Sequence, residues 1–366
     1  MIYAAAIILY LTFIRMVVAL INLFTLHRSV QRTPDEEPLV SILIPARNEE
    51  TNIGRLLDSL LRQSYKNYEI VVCNDASTDT TEAILNEYSK KNKKVRYINA
   101  PSLPDGWLGK NHSCHLLSTE AVGEYLLFID ADVTAADYML QFAVERMQRK
   151  RLALLSLFPM QLTLSRGERV VVPVMNWILL SLLPLFLVRA CRWTSFSAAN
   201  GQFMMFRASI YRKHWFHKMV RSSLTEDIVL ARTIKKMRLP VETLMSRGEV
   251  SCRMYGSYRE ALNGFAKNVI TMFGDSLLFI SLFMLLLLGG WIVVFGGLGW
   301  IGLAVYLFMA AVINLSVAAA GKQSLKDALL LFPERVAAMT LIYFRALKVR
   351  YGKRYTWKGR TVQVGG

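Results

Sequence analysis

The chain has 366 residues, 53% of them hydrophobic and only 19% charged, with a formal net charge of +17. A mean hydropathy of +0.30 is too high for a purely soluble enzyme and too low for a bare membrane bundle. Such a charge suits nucleic acid or anionic lipid, but the basic residues gather beside long apolar runs, which favours a bilayer and argues against nucleic acid. Cys73, Cys114, Cys191 and Cys252 show neither zinc nor disulfide spacing, the pattern of a reducing cytosolic setting.

Residues 2–26 are apolar apart from Arg15 and a few polar side chains, and are long enough to span a bilayer. They lack a basic start and a small-residue cleavage site, so residues 1–27 read as a retained anchor and not a signal peptide. Arg15 near mid-span costs roughly 2.5–3.5 kcal/mol on insertion scales, so it is expected to face other helices or a polar cavity. His27, Arg28 and Arg32 put that flank in the cytoplasm. A short linker, 33–38, follows.

Residues 38–250 read as an α/β domain. Apolar runs at 40–44, 69–73, 95–98 and 125–129 predict strands; Ile53, Leu56, Leu57, Leu60 and Leu61 recur at helical spacing. Helical stretches around 80–90 and 111–119 separate the later strands. Such alternation predicts a largely parallel, doubly wound sheet. Segment 170–190 is apolar but carries Pro173, Asn176 and Pro184, with basic residues beyond it. It reads either as a segment lying in the membrane interface or as a buried helix pair. Residues 251–275 form an amphipathic, substrate-facing segment. No charge occurs over 276–321, enough for a transmembrane hairpin that turns at Gly296-Gly297-Leu298-Gly299. In 322–366, Lys322 and Lys326 mark the cytoplasmic side. A stretch broken at Pro333, Glu334 and Arg335 is expected at the interface, and a basic tail (Lys348 to Arg360) stays inside.

The chemistry centres on Phe128-Ile129-Asp130-Ala131-Asp132. Residues two apart on a strand share a face, so Asp130 and Asp132 aim at one site at the strand's C-terminal end, where open α/β sheets bind ligands. Two carboxylates suit a hard divalent cation that keeps positions for phosphate oxygens. The first strand ends in Pro45-Ala46-Arg47-Asn48-Glu49 and the second in Asn74-Asp75-Ala76-Ser77. Both ends reach the same sheet edge, where a carboxylate can accept from a base or a ribose hydroxyl. Ser77 or Asp79 also suits a helix cap. In the loop 104–112, Lys110 can offer charge to a phosphate. Trp107 and His112 are candidate substrate contacts, and His112 reads equally as a helix-end residue. Glu226 and Asp227 sit in a helix's first turn, which the helix dipole alone favours; a general base there needs only reach to an acceptor hydroxyl. Arg253 and Tyr255 precede the apolar hairpin, as substrate contacts or as headgroup anchors.

In order, IPARNEE (44–50), NDASTDTT (74–81), FIDADV (128–133) and TEDIVLA (225–231) resemble family 2 glycosyltransferases of GT-A fold. DGWLGKNHSC, RMYGSYREALNGFAKN and YTWKGRTV narrow the likeness to membrane-bound members of carotenoid-acid (diaponeurosporenoate) and hopanoid gene clusters. The resemblance implies that Pro45, Ala46, Arg47, Glu49, Asn74 and Asp75, with Lys110 and Asp130, hold a nucleotide-sugar donor. Asp132, with Asp130 beside it, would ligate Mn²⁺ or Mg²⁺ on the diphosphate. Asp227, with Glu226 next to it, would be the base of an inverting transfer. The implied reaction moves one hexose, glucose from UDP-glucose, onto a lipid: a carotenoid acid, or a glycerolipid, hopanoid or polyprenyl phosphate. The implied setting is the cell membrane, with the catalytic domain cytoplasmic and anionic lipid around it. Two departures stand out. Ala76 replaces a common glycine, which restricts positive φ at that turn. The Gln-x-x-Arg-Trp motif of processive synthases is missing, which argues against a polymerase.

Overall fold

The computed structural model describes residues 1–26, 34, 36–352, 354–357 and 360–363, the last two stretches by backbone alone. The basic flank 27–32, Thr33 and Asp35 of the linker, and Lys353 and Lys358 of the tail lie outside the described residues.

Helix α1 (Ile2–Phe24) precedes β1 (Val40–Ala46), α2 (Ile53–Leu61), β2 (Tyr68–Asn74), α3 (Thr81–Lys91), β3 (Val95–Asn99), α4 (Gly109–Glu120) and β4 (Tyr125–Ile129). β1 is apolar at nearly every position because helices cover both faces of the sheet. Ile42 and Ile44 enter one core, whereas Leu43 enters the other. β1 pairs in parallel with β2, matching Ala46 to Asn74, and with β4, matching Leu43 to Phe128. These registers bring all three strand ends to one edge.

Next come β5 (Val133–Ala135), α5 (Met139–Arg149), β6 (Leu154–Phe158), β7 (Met160–Gln161), α6 (Arg166–Val171), α7 (Pro173–Leu182), α8 (Phe186–Ala190) and β8 (Phe203–Arg207). The main sheet is completed after α9 (Ala208–His214), α10 (Phe216–Met219) and α11 (Glu226–Lys236) by β9 (Val241–Met245). Its order is β3-β2-β1-β4-β8-β6-β9. It is mostly parallel, but β8 runs against both β4 and β6. The head of β8 therefore lands at the edge where β4 ends. A small second sheet, β5-β10-β7, uses β10 (Val250–Cys252) and pairs Cys252 with Val133.

The chain closes with α12 (Tyr258–Ala266), α13 (Val269–Met272), α14 (Leu277–Ala320), α15 (Leu325–Leu330), α16 (Phe332–Gly352) and an antiparallel ribbon of β11 (Arg354–Trp357) and β12 (Arg360–Gln363). α1 and α14 are long and apolar enough to cross a membrane. Their outer faces expose Ile7, Leu285 and Phe308 by more than half, an apolar belt that water does not favour. α14 breaks at Gly299 (φ 62°, ψ −156°) into halves 277–298 and 300–320. The halves fold back: a Cβ on Gly290 would lie 3.5 Å from the Tyr306 hydroxyl, whereas a straight helix would separate them by about 24 Å. Pro333 sits in the first turn of α16, where its missing N–H costs no bond. The expected break falls just ahead of it, at Leu331 between α15 and α16, and the second helix runs on from Phe332.

α7 ties the two halves of the molecule together. Eight of its ten residues are buried. Arg15 of α1 donates to Ser181 Oγ at 3.0 Å and lies 4.6 Å over the Trp177 ring, so the span's one cation is turned inward. Asn22 donates to the carbonyls of Leu180 and Leu183, each at 2.8 Å, and accepts from Leu185 N at 2.8 Å. One continuous core holds both Leu43 of the sheet and Ile280 of the hairpin.

Candidate active site

A cleft of about 1400 Å³ opens at the strand ends. Pro45, Ala46, Arg47, Glu49 and Asp75 line its first wall. Asp75 N donates to Ala46 O at 2.8 Å, continuing the ladder past the strands. Ala76 does take a positive φ of 50°, which costs a residue with a Cβ roughly 1–2 kcal/mol. Arg47 holds that turn, donating from Nη1 to Asp75 O (2.6 Å) and Ala76 O (3.0 Å). Asn74 does not line the cleft: it is buried, donates to Asn99 Oδ1 at 2.8 Å and accepts from Ser77 N at 3.2 Å. Asp79 accepts from Thr81 N at 3.0 Å, in the first turn of α3, and so serves that helix end.

The second wall is the loop before α4 together with that helix's first turn, from Gly106 to Asn111. Asn111 Nδ2 donates to Val220 O (2.8 Å) and Ser223 O (3.0 Å), and Leu108 N to Arg221 O (2.8 Å). Trp107 lines the cleft and stacks on His115 at 5.3 Å. His112 is buried edge-on to Trp107, one turn into α4, and is not part of the cleft wall.

The acids meet at the centre. Lys110 Nζ lies 2.9 Å from Asp130 Oδ2 and 3.1 Å from Glu226 Oε1. Burial works against its charge, but the two carboxylates outweigh burial and hold its pKa well above the ordinary value. Its ammonium thus joins the end of β4 to the start of α11. Burial raises the Asp130 pKa despite that partner. Burial, with Asp130 beside it, pushes Asp132 up to about 7. Asp227 is likewise pushed to about 7, first by burial and then by neighbouring Glu226. Its Oδ2 accepts from Gly201 N at 3.0 Å and its Oδ1 from Ile228 N at 2.8 Å. Of the acidic pair, Glu226 is paired with a cation and Asp227 is held by backbone N–H groups.

Asn200, Gly201 and Gln202 are absent from the sequence-based site, yet they sit in its middle. Gly201 passes so close that a Cβ would lie 3.1 Å from Lys110 Nζ and 3.2 Å from Glu226 Oε1. Gln202 O accepts from Asp130 N at 3.3 Å. Gln202 Nε2 donates to Asp132 Oδ2 at 3.2 Å and to Cys252 Sγ at 2.8 Å. Burial raises the thiol pKa well above its usual value, which keeps the sulfur protonated. The backbone run Asn-Gly-Gln before an apolar strand was the only local signal for this turn.

Beyond Asp227 the cleft changes character. Met175, Leu179, Leu182, Met254 and Phe265 line it, from α7 on one side and the 254–272 stretch on the other, with Asn176, Glu260, Lys267 and Asn268 among them. Tyr255 is here, edge-on to Phe265 at 5.1 Å. Arg253 lines the wall too, but its guanidinium grips Glu168 at 3.2 and 3.0 Å. That contact, first among several, draws the Glu168 carboxyl down to about 2.

Residues 41–215 match the model of the family described as Glycosyl transferase family 2. The chain carries a family 2 glycosyltransferase domain. The 4,4'-diaponeurosporenoate glycosyltransferase of Staphylococcus haemolyticus (strain JCSC1435) is 28% identical to this glycosyltransferase over 280 residues, covering 74% of this chain and 70% of that protein. The protein of the same name from Staphylococcus aureus (strain MRSA252) is 38% identical over 96 residues, 26% of this chain and 24% of that one. The mannosyltransferase PcManGT from Pyrobaculum calidifontis, solved with GDP-Man and Mn²⁺, superposes with a TM-score of 0.56 over 96% of this chain and 99% of its own, at 18% identity. At that identity the likeness speaks for the GT-A fold alone.

Proposed function

We propose that this glycosyltransferase moves one hexose, with inversion, from a UDP-sugar to the polar head of a membrane lipid, with glucose as the sugar and a carotenoid acid as the acceptor. The observation that carries the reading is one continuous cleft with two chemistries. Its polar end gathers the strand-end acids, and its apolar end runs between α7 and the 254–272 stretch, beside the apolar helices. A lipid head can reach Asp227 while its tail remains among methionines and leucines. The name shared by the staphylococcal relatives supports the acceptor class.

Glu49 and Asp75 take the uridine side of the donor. The carboxylates fit a divalent cation: Lys110 answers Asp130, while burial leaves the Asp132 charge poorly compensated. Gln202 Oε1, buried without a partner among the described residues, is a further hard oxygen at that place. No group of three His, Cys, Asp or Glu able to hold a metal ion occurs among the described residues, so a cation held by Asp132 and Asp130 would need diphosphate oxygens and water to complete its shell. When bound, Mn²⁺ or Mg²⁺ neutralises the departing UDP. Asp227 takes the acceptor proton as the acceptor oxygen bonds to the anomeric carbon and the bond to UDP breaks. An acceptor carboxyl entering an apolar cleft has its pKa raised by burial. The Asp227 pKa of about 7 is then well matched to it.

Lys322 and Lys326, at the end of the hairpin, favour a cytoplasmic catalytic face. With Cys191 replaced by serine, a cysteine introduced at Ser77 is expected to resist an impermeant thiol reagent in intact cells. The deciding experiment incubates enzyme-containing membranes with UDP-glucose and a carotenoid acid, and reads the lipid extract by mass spectrometry. A hexose ester of the acid is the expected product. Transfer only to glycerolipid, hopanoid or polyprenyl phosphate would move the acceptor, and no transfer to any lipid would overturn the reading.

A further inference from the structure

We infer that Gln202 and Cys252 are positioning residues that hold the Asp132 carboxylate in the orientation a divalent cation needs. The inference rests on the cation reading above. Three observations carry it. Gln202 is nearly fully buried, at 3% exposure, and its Nε2 reaches both carboxylate oxygens of Asp132, at 3.2 and 3.4 Å. Cys252, 1% exposed, accepts from the same Nε2 at 2.8 Å and so fixes the amide that faces Asp132. The backbone fixes both side chains independently. Gln202 sits opposite Asp130 at the β4–β8 boundary, and Cys252 pairs with Val133 in the second sheet.

The chemistry also fixes the amide's direction. Turning Oε1 toward Asp132 would set an acceptor against a carboxylate, so Nε2 must face it. A fixed amide donor against a carboxylate holds its plane still and steadies its charge before a cation arrives. Partners of this kind typically change metal affinity 10–100-fold when removed. The same turn reaches the base, since Gly201 N donates to Asp227. The 200–202 turn therefore ties the donor half of the site to the acceptor half.

The test titrates MnCl₂ into full-length, detergent-solubilised enzyme with saturating UDP, following free Mn²⁺ by electron paramagnetic resonance. Gln202→Met keeps volume but removes Oε1 along with the Nε2 donor, so it is read beside Cys252→Ala, which removes only the thiol that holds the amide, and Cys252→Ser, which restores an acceptor for it. Gln202→Met and Cys252→Ala are expected to weaken Mn²⁺ binding about 10–100-fold, with Cys252→Ser within about threefold of wild type. The melting temperature in EDTA reports folding without the cation. If Gln202→Met fails to fold, the alanine–serine pair at Cys252 decides alone. Binding unchanged in both Gln202→Met and Cys252→Ala overturns the inference and leaves the cation reading intact. Wild-type enzyme that retains no Mn²⁺ with UDP overturns both.

Discussion

The two ends of the cleft are built in opposite ways. At the polar end, each acid is held by a named donor: Lys110 for Asp130, Gln202 for Asp132, Gly201 N and Ile228 N for Asp227. At the other end, Met175, Leu179, Met254 and Phe265 offer mainly bulk, with Lys267 and Asn268 as polar neighbours. The polar end should thus fail on single-atom changes. The apolar end should tolerate volume-conserving swaps and respond only to blockage.

The cation provides the strongest way to break this contrast. Transfer should vanish in excess EDTA and return with Mn²⁺ or Mg²⁺, and Asp132→Asn should not be rescued. Full turnover in EDTA would remove Asp132 from the chemistry. Next is Asp227→Asn, which keeps the size of the side chain and most of its hydrogen bonding. It should lower kcat by about 10²–10⁴-fold while UDP affinity, measured by calorimetry, changes little. A variant within about threefold of wild type would move the base to Glu226, in spite of its ion pair with Lys110.

The pH profile sharpens the same point. Burial raises the Asp227 pKa to about 7, and a base works only when deprotonated. kcat should therefore climb as pH rises through about 7 and level off above it. Below that value it should fall about tenfold per pH unit. In Asp227→Asn this limb should disappear; a limb that stays belongs to another group. The smallest effect is expected at the apolar end. Leu179→Trp should raise KM for the lipid roughly tenfold (about 1.4 kcal/mol) and leave KM for the donor unchanged. Leu179→Met should be nearly silent. A donor KM that moves with Leu179→Trp would show that the two ends are not separate.

Much of the polar end was legible because its signals are local. An apolar run followed by Asp130 and Asp132 identifies a strand and its exit within eight residues, and β4 falls at 125–129 as the run predicts. The same holds for the ends of β1 and β2, and for the acidic pair that opens α11. Composition and uninterrupted apolar length likewise marked α1 and the hairpin, since both depend only on the chain's own residues.

The rest was decided by packing. A strand's direction leaves no trace in its periodicity, so nothing local told that β8 runs against β4 and brings Gln202 to Asp132 across 70 residues. Cys252 looks like any buried thiol until β10 pairs with β5. Lys110 reads as a phosphate ligand, and only the fold adds Asp130 and Glu226 as its partners. His112 has the right chemistry for a site, but α4 turns it into the interior. α7 reads alike as interfacial or buried, because an apolar helix carries no record of its neighbours; only the fold sets it against Arg15 and Asn22 of α1. Local pattern sets what each segment is, whereas contacts between distant segments set what each side chain faces, and the chemistry of this cleft depends on both.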